Sequence, residues 1–204
     1  MKLKKKVLIA IGREYGSGGH AIGEALAKDL GIPLFDKNML SMIAKKHGLN
    51  EDLLNSEDEK VSNPFFEPYI AYGIETASLS SRLFSLQSNI IRDEAEKSSA
   101  IFIGRCADEV LKDDPDLISI FIYAPRNDRI QRIMTVEDIS DSLAADKIVR
   151  RIEKSRRAYY QFYTDRKWAS PEGRDLMINS SALGLAGSVK LIEDFLIRKG
   201  VLEP

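Results

Sequence analysis

Residues Gly12 to Gly23 read GREYGSGGHAIG, directly after the apolar run Val7-Leu8-Ile9-Ala10-Ile11 and directly before a helical pattern. A glycine-rich turn between a first strand and a first helix sits at the carboxyl edge of a parallel sheet, where α/β proteins bind ligands. Gly16, Gly18 and Gly19 let the backbone approach a phosphate, and the helix start offers unpaired N–H groups. The lysine and hydroxyl residue that close a G-x-x-x-x-G-K-[ST] loop are missing, with Gly19, His20 and Ala21 in their place. A phosphate cradle here needs its positive charge from another source, and Arg13 and the arginines further along the chain are the candidates. Gly16-Ser17-Gly18-Gly19-His20-Ala21 also matches G-x-G-x-x-A, with Asp36 about 20 residues on, where a dinucleotide fold keeps its ribose-binding acid. A glycine-rich turn with no ligand is the third reading. The motif alone leaves all three open.

Working outward, short β-rich runs alternate with helical patterns. Val7–Ile11, Ile32–Phe35, Ile101–Ile103, Ile118–Tyr123 and Leu176–Ile178 are nearly continuous apolar stretches, as expected of parallel strands covered on both faces. Ile22, Ala25, Leu26 and Leu30 form a helical stripe closed by Gly31, and Lys37–Lys46 carries Leu40, Ile43 and Ala44. Pro125 suits the first turn of a helix over Arg126–Met134, and a last helix spans Ser188–Lys199. The expectation is a three-layer α/β fold with a five-stranded parallel sheet. One domain fills residues 1–204, with its core at 1–36, 99–134 and 174–204. The connection at about 37–98 is too long for one crossover and contains the stripe Leu83, Leu86, Ile90; it reads as an insertion that holds substrate. A second excursion, about 135–173, reads as a lid.

With 30 basic against 31 acidic residues, the chain is neither a general nucleic-acid coat nor an anionic-membrane binder. No run nears the roughly 20 apolar residues of a membrane span, and one cysteine excludes an internal disulfide. A cytoplasmic location is expected. His20 and His47 have no spacing that makes a metal site, Cys106 reads as a core filler, and Trp168 as packing.

Gly104-Arg105-Cys106 follows the third strand, again at the ligand edge, where an arginine can fork onto a phosphate or pair with Asp108 or Glu109. The segment RRIEKSRRAYYQFYTDRKW, residues 150–168, places Arg150, Lys154 and Arg157 at i, i+4 and i+7 of a helix. Arg156, Tyr159, Tyr160 and Tyr163 lie beside that stripe. An arginine-rich lid suits phosphoryl transfer, which is driven by positioning and charge neutralisation, whereas a solvated helix face is the plain alternative.

Taken together, REYGSGGHAIGEALAKDLGIPLFDK, FIGRCADEVL, RRAYYQFYT and DLMINSSALGLAGSVKLI resemble the cytidylate kinase-like family, a divergent branch of the nucleoside monophosphate kinases. The resemblance spans nearly the whole chain and implies a P-loop kinase core, an NMP-binding insertion, an arginine lid and ATP with Mg2+ as phosphoryl donor. It places the phosphate loop at Arg13 to His20, and the acceptor, CMP or another small molecule, near Asp36, Arg82 and Arg105. Arg13, Arg156 and Arg157 are the implied charge on the transferring group, with Arg150 and Lys154 in the lid. The chain departs from the cytidylate kinase pattern at Gly19, at His20-Ala21 and at Cys106, which stands where an aspartate follows the arginine. A nucleotide sensor on the same fold, or an NAD(P)-dependent enzyme, are the alternatives.

Overall fold

The computed structural model describes residues 2–36, 38, 39, 42 and 73–204, without the side chains of 73–80 and 82. Five strands, β1 (Leu8–Arg13), β2 (Leu34–Phe35), β3 (Ala100–Ile103), β4 (Leu117–Tyr123) and β5 (Leu176–Asn179), form one sheet in the order β2-β3-β1-β4-β5. Every pairing is parallel; β1 runs in register with β3 from Leu8↔Ala100 to Ile11↔Ile103, and with β4 from Leu8↔Leu117 to Arg13↔Ile122. The glycine loop therefore leaves the central strand, between the ends of β3 and β4.

The described helices are α1 (Gly19–Leu30), α2 (Gly73–Lys97), α3 (Ala107–Val110), α4 (Arg126–Val136), α5 (Ser142–Thr164) and α6 (Ser180–Arg198). Alternation along each strand builds the layers. Val7, Ile9, Ile11, Ile120 and Ile122 pack with Ile22 and Leu26 of α1 and Ile192 and Leu196 of α6. Leu8, Ala10 and Phe102 face the other way, onto Ile90, Ile91 and Ala95 of α2 and Ala107 of α3. On the same side Phe121 packs with Cys106, Tyr160 and Trp168. Gly12 makes room for that aromatic group: a Cβ there would lie 2.7 Å from the Phe121 ring.

This is the expected three-layer α/β fold. The expected strands are all present, although the second shortens to two residues because Ile32 and Pro33 precede the ladder. The strand order removes the dinucleotide reading, since that fold sets its second strand beside the first, whereas β3 stands between β1 and β2 here. Most of the helix expected at Lys37–Lys46 lies outside the described residues. No described helix is long and apolar enough to cross a membrane.

A candidate nucleotide site at the glycine loop

Gly16 and Gly18 both adopt φ 80°, and Gly18 is the N-cap of α1 with no side-chain cap. That left-handed backbone favours glycine, and at Gly16 a Cβ would also lie 2.7 Å from the Arg129 carbonyl oxygen. α5 and α6, by contrast, are capped by Asp141 and Asn179. The first turn of α1 carries no acidic residue. Its open N–H groups and dipole end thus face the carboxyl edge of the sheet, ready for an anion.

What fixes the loop is the capture of its carbonyl oxygens, one after another. Arg156 of α5 donates to the Arg13 carbonyl at 3.2 Å, Arg129 to Tyr15 at 3.3 Å, and Arg132 to Gly16 at 2.6 Å. The Ser17 hydroxyl donates to the Glu14 carbonyl (2.9 Å), the Ser180 hydroxyl to Ser17 (2.6 Å), and the Ile22 N–H to Gly18 (3.0 Å). Each carbonyl from Arg13 to Gly18 therefore has a donor within the protein. A loop anchored through its carbonyls is held in shape before any ligand arrives, as an anion-binding nest requires.

Position 19 has no room for a side chain. A Cβ on Gly19 would sit 2.6 Å from Arg13 Cβ and 3.2 Å from Ile122 Cβ. The Arg13 side chain runs across that space toward β3, where its guanidinium carbon lies 3.0 Å from the point a Gly104 Cβ would occupy. A cation carried by the strand end thus fills the ground beside the helix start. Arg105 follows in a turn where Gly104, Arg105 and Cys106 take φ 71°, 57° and 54°. Left-handed backbone at two non-glycine residues costs energy that the surroundings must hold. Asp108, in the short helix that follows, supplies an anchor. It accepts from the Tyr160 hydroxyl at 2.6 Å and pairs with Arg174 at 2.7 Å, both within the layer that also holds Phe121.

Arg156 reaches the loop over the Tyr15 ring, 5.3 Å from its centroid. Burial pushes its guanidinium down to about 10, and nearby Arg105 adds to the depression against Tyr15 and Glu153. Two positive charges are therefore brought together where water screens them poorly. Burial and Glu137 push the Tyr15 hydroxyl up to about 12, so it stays protonated. Burial also drives the Cys106 thiol far above its usual range, which fits a core filler and not a nucleophile.

Asp36, buried at the end of β2, bonds His20 Nε2 at 2.8 Å and accepts from the Asn38 N–H at 2.8 Å. His20 also meets Glu24, at 3.3 Å. Two other expected residues have their contacts away from the loop. Arg150 pairs with Asp146 at 3.0 Å, Arg157 lies over Trp168 at 6.0 Å, and Lys154 is exposed. Arg82 belongs to α2, but its side chain lies outside the described residues. The tyrosines beside the stripe make contacts within the protein, and the Tyr160 ring lies under the Arg174 guanidinium at 5.4 Å. Tyr163 stacks on Phe84 of α2 at 3.9 Å, and Tyr159 donates to Gln87 at 3.1 Å. Sequence reasoning missed Arg129 and Arg132, whose signal is their 126/129/132 spacing after Pro125, and the Asp108–Arg174 pair, which has none.

A magnesium ion takes oxygen ligands in near-octahedral geometry and keeps several waters, and the protein oxygens described beside the loop are few. No hydroxyl stands at Gly19-His20-Ala21, and the Ser17 and Ser180 hydroxyls point to carbonyls. The Asp36 oxygens serve His20 and Asn38, and Glu14 serves Arg129 and the Ala124 N–H. Among the described residues no group of three or more His, Cys, Asp or Glu is placed to hold a metal.

Comparison with known proteins bears on this site. The cytidylate kinase-like family model matches residues 8–182. A crystal structure of an uncharacterised protein from Eubacterium ventriosum is 28% identical, with a TM-score of 0.72, covering 94% of this chain and 98% of that one. Shikimate kinases from Acinetobacter baumannii (14% identity, TM-score 0.51, covering 96% and 95%) and Bacteroides thetaiotaomicron (15%, 0.53, 94% and 99%) share the fold alone. No curated protein matches the chain. With the sheet order, the loop and the family match in agreement, this chain belongs to the cytidylate kinase-like family, on a kinase fold of the P-loop type.

Proposed function

We propose that this chain moves the terminal phosphoryl group of ATP to a small acceptor, CMP or another nucleoside monophosphate. The observation that carries the reading is Arg13, whose side chain crosses the space at Gly19 and reaches Gly104. The triphosphate lies on the Gly16–Gly19 backbone and the start of α1 at His20. Arg13 and Arg156 neutralise the charge that spreads over the transferring group, the main work of a phosphoryl-transfer site. Arg105 holds the acceptor phosphate, the insertion at about 37–98 with Arg82 is the acceptor-binding part, and the excursion at about 135–173 is the lid that excludes water. Asp36 is the base we assign where an acceptor hydroxyl must lose its proton.

A thermal-shift panel of ATP, CMP, NAD and NADP, followed by transfer assays on each hit, tests this. ATP at 100 times its dissociation constant is expected to add about 2.7 kcal/mol of stability, with no response to NAD or NADP. Stabilisation by NAD alone reverses the assignment. Nucleotide binding without transfer to any acceptor replaces the enzyme with the sensor, a reading that the missing loop lysine favours.

A further inference from the structure

Resting on the nucleotide reading of the glycine loop, we infer that α5 couples that loop to the acceptor-side insertion. On this inference α5 and the upper half of α2 open and close as one unit, so a nucleotide on the loop also steadies α2. One face of α5 carries the argument. Arg156, Tyr159, Tyr160 and Tyr163 stand at i, i+3, i+4 and i+7, and so share that face. Together they reach three parts of the protein. Arg156 donates to the Arg13 carbonyl at 3.2 Å, over the Tyr15 ring. The Tyr160 hydroxyl donates to Asp108 at 2.6 Å, in the short helix that follows Arg105. Tyr159 donates to Gln87 of α2 at 3.1 Å, and the Tyr163 ring stacks on Phe84, with centroids 3.9 Å apart and planes 12° from parallel.

The topology gives the contacts with α2 their weight. α2 ends at Lys97, just before β3 begins at Ala100, so it runs back along the sheet and carries its earlier residues toward the carboxyl edge. Its lower half is held by the sheet, with Ile90, Ile91 and Ala95 packed on Leu8, Ala10 and Phe102, and Leu86 partly buried against them. Phe84 and Gln87, at the top of that packing, meet α5. Over the two turns from Arg156 to Tyr163 a helix moves as a stiff rod. Unseating Arg156 from the loop therefore carries the tyrosines away from Phe84 and Gln87. A ligand that binds only the seated state opposes that opening by mass action. A phosphate on the loop is such a ligand, because Arg156 borders its cradle. α2 then gains stability from a group it does not touch, through an element that both regions bias.

The test is amide hydrogen exchange of the full chain, read by mass spectrometry with and without ATP. At about 100 times the dissociation constant, an opening that releases the nucleotide is suppressed by up to about 100-fold. The expected result is slower exchange in the loop, residues 13–23, and at least about tenfold slower exchange in residues 83–90 of α2. Phe84→Ala removes the ring stack; it should keep the loop response and cut that of α2 to less than about twofold. Tyr159→Phe loses only the hydroxyl to Gln87. It should lower the α2 response without changing that of the loop, and it decides alone if Phe84→Ala does not fold. Protection of the loop with none in α2 overturns the coupling and leaves the nucleotide reading intact. Protection of neither segment overturns both. Protection of α2 that is undiminished in the variants assigns it to direct contact with ATP and overturns the coupling.

Discussion

Helix α5 has two faces with opposite fates. Arg150, Lys154 and Arg157 form the cationic stripe that periodicity picks out, and they lie on the exposed face; the Arg150 side chain is 66% exposed and pairs with Asp146 within its own helix. Arg156 lies on the other face, in line with Ala145, Val149, Ile152, Tyr160 and Tyr163, and it bonds the glycine loop. A stripe of like charge is what a solvated helix face looks like, because water screens it cheaply. A single arginine interrupting an apolar stripe has been carried inward against its desolvation cost, and that placement calls for a partner. In this helix the isolated cation is the informative one.

Replacing residues on each face in turn can break that contrast. The largest effect is expected under the inner face, at the pair Arg174 and Asp108, whose side chains are 2% and 8% exposed. Arg174→Ala leaves Asp108 charged and buried, so urea unfolding should show a loss of about 3–5 kcal/mol. Next comes Arg156→Ala, which should weaken ATP by about 10–100-fold in a binding titration, the worth of a lost charge-assisted contact. Gly19→Lys restores the customary loop lysine, yet it should destabilise the fold by about 1–3 kcal/mol through the clash with Arg13 Cβ, without tightening ATP. The smallest effect belongs to the outer face. Arg150→Ala should change stability by no more than about 0.5 kcal/mol and leave ATP affinity alone. If Arg150→Ala cost as much affinity as Arg156→Ala, the distinction between the faces would be wrong.

The sheet was legible because buried parallel strands are continuous apolar runs, and all five stand where those runs are. The glycine loop was legible for a similar reason, since φ 80° at Gly16 and Gly18 is a backbone demand that few residues other than glycine meet. The contacts that organise the loop were harder to read. Arg129 and Arg132 come from α4, over a hundred positions away, and what they bind is backbone carbonyl, which leaves no complementary residue type to find. Asp108 and Arg174 meet only because Ser119 and Phe121 of β4 bring the turn after β3 alongside the chain entering β5. Such pairs are set by tertiary packing and not by spacing. The 145/149/152/156/160/163 pattern is what separates Arg156 from Arg157 and the rest of the charged run, and it is visible only when the apolar stripe, not the charged one, is followed.

The central claim is that the loop cation has moved from position 19 to position 13. ATP titration of the parent, of Arg13→Gly and of Arg13→Gly with Gly19→Lys tests it most directly, since removing the Arg13 Cβ opens the space that a lysine at 19 needs. The account predicts a loss of about tenfold or more in affinity for Arg13→Gly, largely recovered when the lysine is added. Unchanged affinity in Arg13→Gly, or a loss that the lysine leaves untouched, would contradict it.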